Sequence, residues 1–422
     1  MKTTVVWITL FCTFGQILGE VARYDNYRLY SVSTNSIKDI SILNDLEANS
    51  DSVIFLSKPS KESGESQVVV APHKLADFVD LLQRHGLRFR ILEKNLQRQI
   101  DLERKIMKRS NHKSDEFDFD KYHTLEELHN WLHSLEKKYP DVVKVVSAGK
   151  SFEGRDLLGV ELCHGENKPG VFVESGIHAR EWITPATTVF LVNELLTSTD
   201  PDVRYLAENF TWYVLPSVNP DGYVHTHEKN RLWRKTRKPH GTCVGVDANR
   251  NWDFHWNEVG ASNQPCSDTY AGPEAFSEPE TVAVSNYVKE LKDKVHLYLS
   301  FHSFSQLIIF PNGYTSQHVV NHKDLQDVGD VAAKALSKRY GTKYTVGPIY
   351  ETIYPAAGTS IDWSYGAMNV SLSFCYELRP KTLFQGGFQL PANQIRPTAL
   401  ETLDSLVAMV KRSEELNYFE TV

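Results

Sequence analysis

The sequence predicts an α/β protein in which helices cover both faces of a central sheet, preceded by a smaller α/β module. The chain has 422 residues, more than a single hydrophobic core usually organises. Six mostly continuous apolar runs are typical of strands that are buried on both faces. Helical segments alternate with these runs, as they do in sheets with helical connections.

The N-terminus is expected to be a secretory signal peptide spanning residues 1–19. Lys2 precedes an apolar run at 5–14, and Gly19 marks the expected cleavage point. The run is too short to cross about 30 Å of hydrocarbon, so we expect an exported protein and no membrane partner. The net charge of −7 gives no indication of a nucleic-acid partner. N-glycosylation sequons begin at Asn209 and Asn369, which is weak support for export.

Residues 20–109 are predicted to form the smaller module with a basic connecting segment. Strands are expected at 27–33, 53–57 and 66–72, and amphipathic helices at 36–46 and 73–86. The stretch at 94–113 is polar and rich in Lys and Arg. Such a run is usually a solvated helix face. In this context, we interpret it as a segment that a trypsin-like protease cuts near Lys108-Arg109.

The larger domain is predicted to span residues 110–422. It begins with a helix in which Thr124 and Glu127 form a capping-box pair and which Pro140 ends. Strands are expected at 142–149, 157–163, 170–176, 212–219, 296–303 and 371–378. Helices are expected at 185–197, 277–292, 324–340 and 392–416.

Four cysteines follow the predicted signal peptide. Cys243 and Cys266 flank a loop and are the candidates for a disulfide in an exported protein. Cys163 and Cys375 lie in apolar, strand-like runs, where buried free thiols are common. A second disulfide between these two remains an alternative.

One motif points to a metal site. His178 and Glu181 are three residues apart, just after the apolar run at 170–176. His302 lies at the end of another such run, so all three are expected at strand carboxyl ends, where open α/β sheets bind ligands. Two imidazoles and a carboxylate suit Zn²⁺ and leave a coordination position for water. Taken alone, the H-x-x-E pattern more often marks a surface His and Glu.

Two further histidine pairs are interpreted as surface or structural residues. His129 and His133 are four residues apart on the first predicted helix, but Asn130 follows His129, so the H-E-x-x-H zinc motif is absent. His225 and His227 are expected in a polar loop, where no strand would hold them.

From about Tyr122 to the C-terminus, the chain resembles the secreted zinc carboxypeptidases of the A/B (funnelin) family. The resemblance rests on GIHAREWITPA (176–186), NPDGY (219–223), NRLWRKTR (230–237), CVGVDANRNWDFHW (243–256), FHSFSQL (301–307), GTSIDWSYG (358–366) and YELR (376–379). It implies a mixed, largely parallel central sheet flanked by helices. It also implies an inactive precursor, in which residues 20–109 form an α/β sandwich propeptide over the active-site cleft.

The resemblance assigns chemical roles to residues of this sequence. The zinc ligands would be His178, Glu181 and His302. Asp247 would orient a zinc-bound histidine. Glu377 would be the general base towards the zinc-bound water and would then pass the proton to the leaving amine. Arg234 would stabilise the oxyanion together with zinc.

The family's substrates are peptides with a free C-terminal carboxylate. Arg250 matches the guanidinium that binds this carboxylate in bidentate fashion, with Asn249 beside it. Tyr354 matches the mobile tyrosine that closes over the terminal residue. Arg180 matches an outer substrate-binding position.

The pocket for the terminal side chain is expected to be apolar. Ile361 stands where B-type relatives carry an Asp, and Ile349 matches another pocket wall. We therefore expect removal of Phe, Tyr, Leu, Ile or Val, because an unpaired cation would be costly there. Asp362 lies one residue away and should not point inward. Phe304, where many relatives carry Tyr, and Pro355 depart from common A-type patterns.

The sequence thus resembles an invertebrate digestive procarboxypeptidase of the A type. Its expected partners are peptide substrates, an activating trypsin-like protease and proteinaceous carboxypeptidase inhibitors, and its expected setting is the gut lumen. The alternative is a zinc-dependent peptide-binding relative without catalysis, which would be expected to lack Glu377 or Arg234. A serine hydrolase is excluded because no G-x-S-x-G motif occurs.

Overall fold

The computed structural model describes residues 21–50, 52–57, 59, 64–110, 117–382 and 385–420. The expected signal peptide at 1–19 lies outside the described residues, as does the end of the basic segment at 111–113. No helix in the described ranges has both the length and the apolar character needed to cross a membrane.

The N-terminal part forms a four-stranded antiparallel sheet with helices. Its elements are β1 (Arg28–Ser33), α1 (Ile37–Asn49), β2 (Val53–Ser57), β3 (Glu65–Val70), α2 (Leu75–Arg84), β4 (Phe89–Glu93) and α3 (Gln97–Ser110). The strand order is β2-β3-β1-β4. Tyr30, Val68 and Phe78 pack in its core. Strand β4 was not predicted from the sequence, because its side chains are partly exposed at the sheet edge.

The larger part alternates strands and helices. Its elements are α4 (Leu125–Lys138), β5 (Val143–Lys150), β6 (Asp156–Leu162), β7 (Gly170–Ser175), α5 (Ile183–Thr197), α6 (Pro201–Asn209), β8 (Thr211–Leu215), α7 (Pro220–Glu228), β9 (Pro239–His240), β10 (Cys243–Val244), α8 (Pro279–Leu291), β11 (Val295–Ser303), β12 (Leu307–Phe310), α9 (His322–Tyr340), β13 (Thr345–Pro348), α10 (Ile349–Thr352), α11 (Ser360–Gly366), β14 (Leu372–Leu378) and α12 (Ile395–Glu415). The Thr124–Glu127 capping box at the start of α4 is confirmed.

Eight strands form one mixed sheet in the order β13-β12-β14-β11-β7-β8-β6-β5. The central strands β14, β11, β7 and β8 run parallel, whereas β6 and β5 are antiparallel to their neighbours. Alternate residues of β11 enter two separate hydrophobic clusters. Leu297 and Leu299 pack on the face that α5, α9 and α12 cover, and Tyr298 packs on the face that α8 and α11 cover. The expected sheet with helices on both faces is therefore confirmed.

Some expectations were wrong. The predicted strand at 212–219 ends at Leu215, and β12, β13, α6 and α7 were not predicted. His225 and His227 lie in α7 rather than in a polar loop. Asn219 starts that helix by accepting a hydrogen bond from the Gly222 backbone N–H, and Pro220 occupies its first turn. The His227 ring is half-buried and stacks on Trp182 with 4.0 Å between ring centroids, which makes it a structural residue.

The cysteines behave as the residue pattern indicated. Cys243 and Cys266 form a disulfide. Cys163 and Cys375 are free thiols, so the alternative second disulfide does not form. Asn209 and Asn369, which begin the sequons, are both exposed.

Candidate metal centre and substrate cleft

The carboxyl ends of two adjacent parallel strands, β7 and β11, bring the candidate metal ligands together, and a third strand, β14, brings Glu377 beside them. The chain leaves β7 at Ser175 and reaches His178 and Glu181 within one short turn. His302 lies in the adjacent strand β11 and pairs in register with Glu377 of β14. Neighbouring parallel strands end at the same edge of a sheet, so side chains at or just after their carboxyl ends lie close together there.

Donor atoms from His178, Glu181 and His302 converge within 4.8 Å of one another, and all three residues are buried. The two histidine Nδ1 atoms are 3.1 Å apart. Glu181 Oε1 lies 2.8 Å from His178 Nδ1, and Glu181 Oε2 lies 3.3 Å from His302 Nδ1. Ligands about 2.0–2.1 Å from a tetrahedral zinc ion lie roughly 3.3 Å apart, so this donor set fits Zn²⁺ in both chemistry and spacing.

The remaining histidine nitrogens are held by outer groups. His178 Nε2 lies 3.1 Å from Asp247 Oδ1, which leaves Nδ1 facing the cluster. His302 Nε2 lies 3.4 Å from the Asn249 side-chain amide. Burial, together with the nearby Arg234, lowers the pKa of His178 and favours the neutral imidazole that a metal requires.

Asp247 connects the metal ligands with the neighbouring cations. Its Oδ2 accepts a hydrogen bond of 2.8 Å from Arg234 Nη2. The Asp247 carboxyl is fully buried, and burial alone would raise its pKa. Arg234, Arg250 and His178 outweigh that effect and hold the pKa well below its usual range. Asp247 therefore remains a carboxylate that can orient both a histidine and a guanidinium.

Glu377 faces the same space as the ligand cluster. Its side chain lines a cavity of about 410 Å³ together with His178, Glu181 and Arg234. Burial raises the pKa of Glu377 above its ordinary range, and the nearby Glu181 adds to this, while His302 opposes it. The position and the raised pKa suit a carboxyl that exchanges protons with groups in the cavity.

Arg250 presents a partly unpaired guanidinium. Its Nε donates to the carbonyl of Gly260 at 3.0 Å, and its Nη1 donates to the carbonyl of Asn249 at 2.7 Å. Its Nη2 is buried and makes no hydrogen bond to the described residues. The Tyr354 ring centroid lies 5.8 Å from the guanidinium carbon. The arrangement leaves one guanidinium nitrogen near the Tyr354 ring, where a carboxylate could bind.

The pocket-forming residues predicted from the sequence are apolar and buried. Ile349 begins α10 and Ile361 lies in the first turn of α11, and both belong to one hydrophobic cluster. The Asp362 carboxylate accepts a hydrogen bond from the Gly313 backbone N–H. Burial raises the pKa of Asp362 to about 7.

The N-terminal domain covers this cleft. Residues Glu47, Phe55, Leu56, Glu65 and Gln67 line the same cavity as the metal ligands. Phe304 packs against Phe388 in an apolar cluster that includes Leu29, Leu56 and Val69. A phenylalanine at position 304 therefore suits the apolar surface that this domain covers.

Polar contacts fix the same interface. Glu103 of α3 accepts hydrogen bonds from Arg231 Nε at 2.7 Å and from Arg231 Nη2 at 3.0 Å. The Tyr24 hydroxyl donates to Asn230 at 2.7 Å. Neither contact was predicted from the sequence. The available signal was a pair of acids, Asp101 and Glu103, within a basic segment.

Arg180 lies at the edge of the cleft and is also buried. Its Nη1 donates to the Leu232 carbonyl at 3.3 Å, and Asp268 accepts a second bond from the same nitrogen. The guanidinium lies over the Phe388 ring, 4.4 Å from its centroid. Of the site residues that the sequence indicated, the cavity is lined by His178, Arg180, Glu181, Arg234, Tyr354 and Glu377, whereas its lining does not include Asn249, Arg250, Ile349 or Ile361.

Comparisons with known proteins agree with this geometry. A family model described as zinc carboxypeptidase matches residues 128–405, and one described as carboxypeptidase activation peptide matches residues 30–103. The chain belongs to the zinc carboxypeptidase family. As a carboxypeptidase with an activation peptide, it is a zymogen that proteolysis activates.

Named relatives of this zinc carboxypeptidase include two insect proteins, both called zinc carboxypeptidase A 1. The Anopheles gambiae protein is 50% identical over 402 residues, covering 95% of this chain and 93% of the relative. The Drosophila melanogaster protein is 48% identical over 414 residues, covering 96% of each. The crystal structure of carboxypeptidase A from Helicoverpa armigera superposes with a TM-score of 0.86 at 30% identity, covering 93% of this chain and 98% of that one. The non-catalytic alternative is not favoured.

Proposed function

We propose that the cleft hydrolyses the last peptide bond of peptides with a free C-terminus, with His178, Glu181 and His302 as the zinc ligands. The convergence of their donor atoms beside Glu377 is the observation that carries this proposal. When bound, zinc lowers the pKa of a water molecule and polarises the scissile carbonyl.

Two side chains handle the proton and the developing charge. Glu377 takes a proton from the attacking water and returns it to the leaving amine, and its raised pKa favours holding the proton between these events. Arg234 donates to the oxyanion. Its Nε and Nη2 both bind Asp247, which restricts the orientation of the guanidinium plane.

The free C-terminus is recognised by a cation at the end of the cleft. The unpaired Nη2 of Arg250 binds the substrate carboxylate, with the Asn249 amide beside it. Tyr354 closes over the bound terminal residue. Arg180 contacts the substrate further from the scissile bond.

The terminal side chain that fits best is aliphatic or aromatic. Ile349 and Ile361 offer apolar surface, and burial of such surface contributes about 25 cal/mol per Å². The Asp362 carboxylate is already engaged by Gly313, so it provides no partner for a lysine or arginine side chain.

The place where the protein acts and the cleavage that activates it belong to the same proposal. We propose that the protein is exported, with the gut lumen as its setting, and that a trypsin-like protease cuts near Lys108-Arg109, at the end of α3. Protein inhibitors are a further expected partner class. A bovine thrombin-activatable fibrinolysis inhibitor, 34% identical to this chain with a TM-score of 0.66, has been crystallised with a tick carboxypeptidase inhibitor.

The test uses the whole precursor. Trypsin-treated protein is assayed on blocked dipeptides ending in Phe or in Arg, with and without a zinc chelator. Chelator-sensitive cleavage of the Phe substrate is expected. Cleavage of the Arg substrate alone would contradict the apolar pocket, and activity that survives the chelator would contradict the metal site.

A further inference from the structure

A buried carboxyl group that the proposed mechanism does not use lies beneath the catalytic side chains. Glu174 is the fifth residue of β7 and is 0% exposed. It forms no ion pair with a lysine or arginine of the described chain. A buried carboxyl group without a cationic partner is costly unless neighbouring groups hydrogen-bond it, so its position needs a reason.

The strand register places Glu174 directly under the site. Glu174 pairs with Ser300 of β11, and Ser300 pairs with Cys375 of β14. Two residues further along the same strands, His302 pairs with Glu377. Side chains two residues apart share a face of a sheet, so Glu174 lies in the row next to the metal ligand and the general base.

Three hydroxyl groups surround the Glu174 carboxyl. They belong to Tyr298, Ser300 and Ser360, and each residue is at most 1% exposed. We call these four residues the Glu174 cluster. Within the described chain, none of the cluster's side-chain oxygens makes a well-aligned hydrogen bond, either inside the cluster or to a group outside it, so the four residues form a buried polar site. Burial raises the pKa of Glu174, which favours a protonated carboxyl that can both donate and accept.

The cluster reaches the substrate site through Ser360, the first residue of α11. The Ser360 backbone N–H donates a 3.0 Å hydrogen bond to Asn249 Oδ1. That bond orients the Asn249 side chain, whose amide nitrogen lies 3.4 Å from His302, and the Asn249 carbonyl holds Arg250 Nη1. The start of α11 therefore supports the residues that would bind the terminal carboxylate.

We propose that Glu174 is a positioning residue for recognition of the substrate's C-terminal carboxylate, acting through Ser360 on Asn249. This inference rests on the proposed function of Asn249 and Arg250. It predicts an effect on binding of a carboxylate-bearing substrate, with little effect on the metal or on proton transfer.

The test compares trypsin-activated variants of the full chain. Glu174→Leu removes the central carboxyl. Ser360→Ala removes one hydroxyl and keeps the backbone N–H. Glu174→Gln keeps a side chain at position 174 that can donate and accept hydrogen bonds. Glu280→Leu is the matched control, because Glu280 is an equally buried acid, 1% exposed, that binds the Phe152 backbone N–H instead. The readouts are KM and kcat for a blocked dipeptide ending in Phe, zinc content, and the Kd of hydrocinnamate and of acetohydroxamate.

In Glu174→Leu, we expect KM and the hydrocinnamate Kd to rise about ten-fold while kcat changes by less than about two-fold. Zinc content and the acetohydroxamate Kd should match wild type, and Glu174→Gln should recover most of the loss. A fall in kcat at constant KM, an equal loss of acetohydroxamate affinity, or the same effect in Glu280→Leu would overturn the proposal. If Glu174→Leu does not fold, an unchanged KM in Ser360→Ala would overturn the proposal. Failure of wild type to bind hydrocinnamate would instead refute the proposed function.

Discussion

Removing the Glu103 carboxylate should loosen the activation peptide on the enzyme. Arg231 is 1% exposed and donates two hydrogen bonds to Glu103. Among the described residues, Glu103→Ala would leave this buried cation with only the carbonyls of Arg180 and Phe388 as acceptors. Breaking one side of a buried ion pair costs about 3–5 kcal/mol. Because the two carbonyls keep part of the interaction, we expect a loss of about 3 kcal/mol of binding free energy. This loss lowers the affinity of the enzyme for the cleaved activation peptide roughly 100-fold.

The assay follows chain cleavage and enzyme activity together after trypsin is added to the zymogen. In the wild type, activity should appear with a delay after the connecting segment is cut, because the cleaved activation peptide remains bound to the enzyme. Glu103→Ala should shorten this delay without changing the final activity. Asp101→Ala is the control, since Asp101 lies exposed on the same helix and pairs with Gln97. An unchanged delay in Glu103→Ala, or an equal shortening in Asp101→Ala, would refute the reasoning.

Three further changes test the cleft itself. Glu377→Gln should retain zinc and lower kcat by about 10²–10⁴-fold, as measured by metal analysis and turnover; loss of zinc would make Glu377 a ligand. Ile361→Asp should lower kcat/KM for a Phe-ending dipeptide about 100-fold and raise kcat/KM for an Arg-ending one, because the substitution places a carboxylate at a position that is 2% exposed. An unchanged preference would mean that Ile361 does not line the pocket. Asp362 has a folded-state pKa of about 7 against an ordinary value of 3.8, so the folded state binds the extra proton and stability falls as pH rises through that window. Asp362→Asn should flatten this slope in urea unfolding between about pH 4 and about pH 8, by up to about 4 kcal/mol; equal slopes in the two proteins would contradict the raised pKa.

Local patterns were enough to predict the central strands and to single out the candidate metal ligands, which the family resemblance then supported. The runs that became β7, β11 and β14 are continuous and apolar because both faces of the sheet are covered. His178 and His302 follow from that arrangement, since each lies at the end of such a run. The roles of Glu377 and Arg250 came from family resemblance, because a single Glu or Arg has no distinguishing pattern of its own.

Long-range pairings could not be read from the sequence. The contact between Glu103 and Arg231 spans 128 positions. The Glu174 cluster depends on the register of two strands and on the docking of α11 above them. The short strands β12 and β13 have four residues each, too few for periodicity to show. His227 was misplaced because a Pro-Asp-Gly sequence signals a turn as readily as the first turn of a helix.

The cavity shared by the activation peptide and the cleft has a chemical consequence. At about 410 Å³, it leaves room for small molecules beside His178 and Glu377 in the uncut precursor, while residues of the activation peptide line the same space. Inhibition in the precursor would then be selective by size. Small chelators, single amino acids and metal ions should exchange with the centre before any proteolysis, so that an enzyme can receive its zinc during export and still spare the proteins around it.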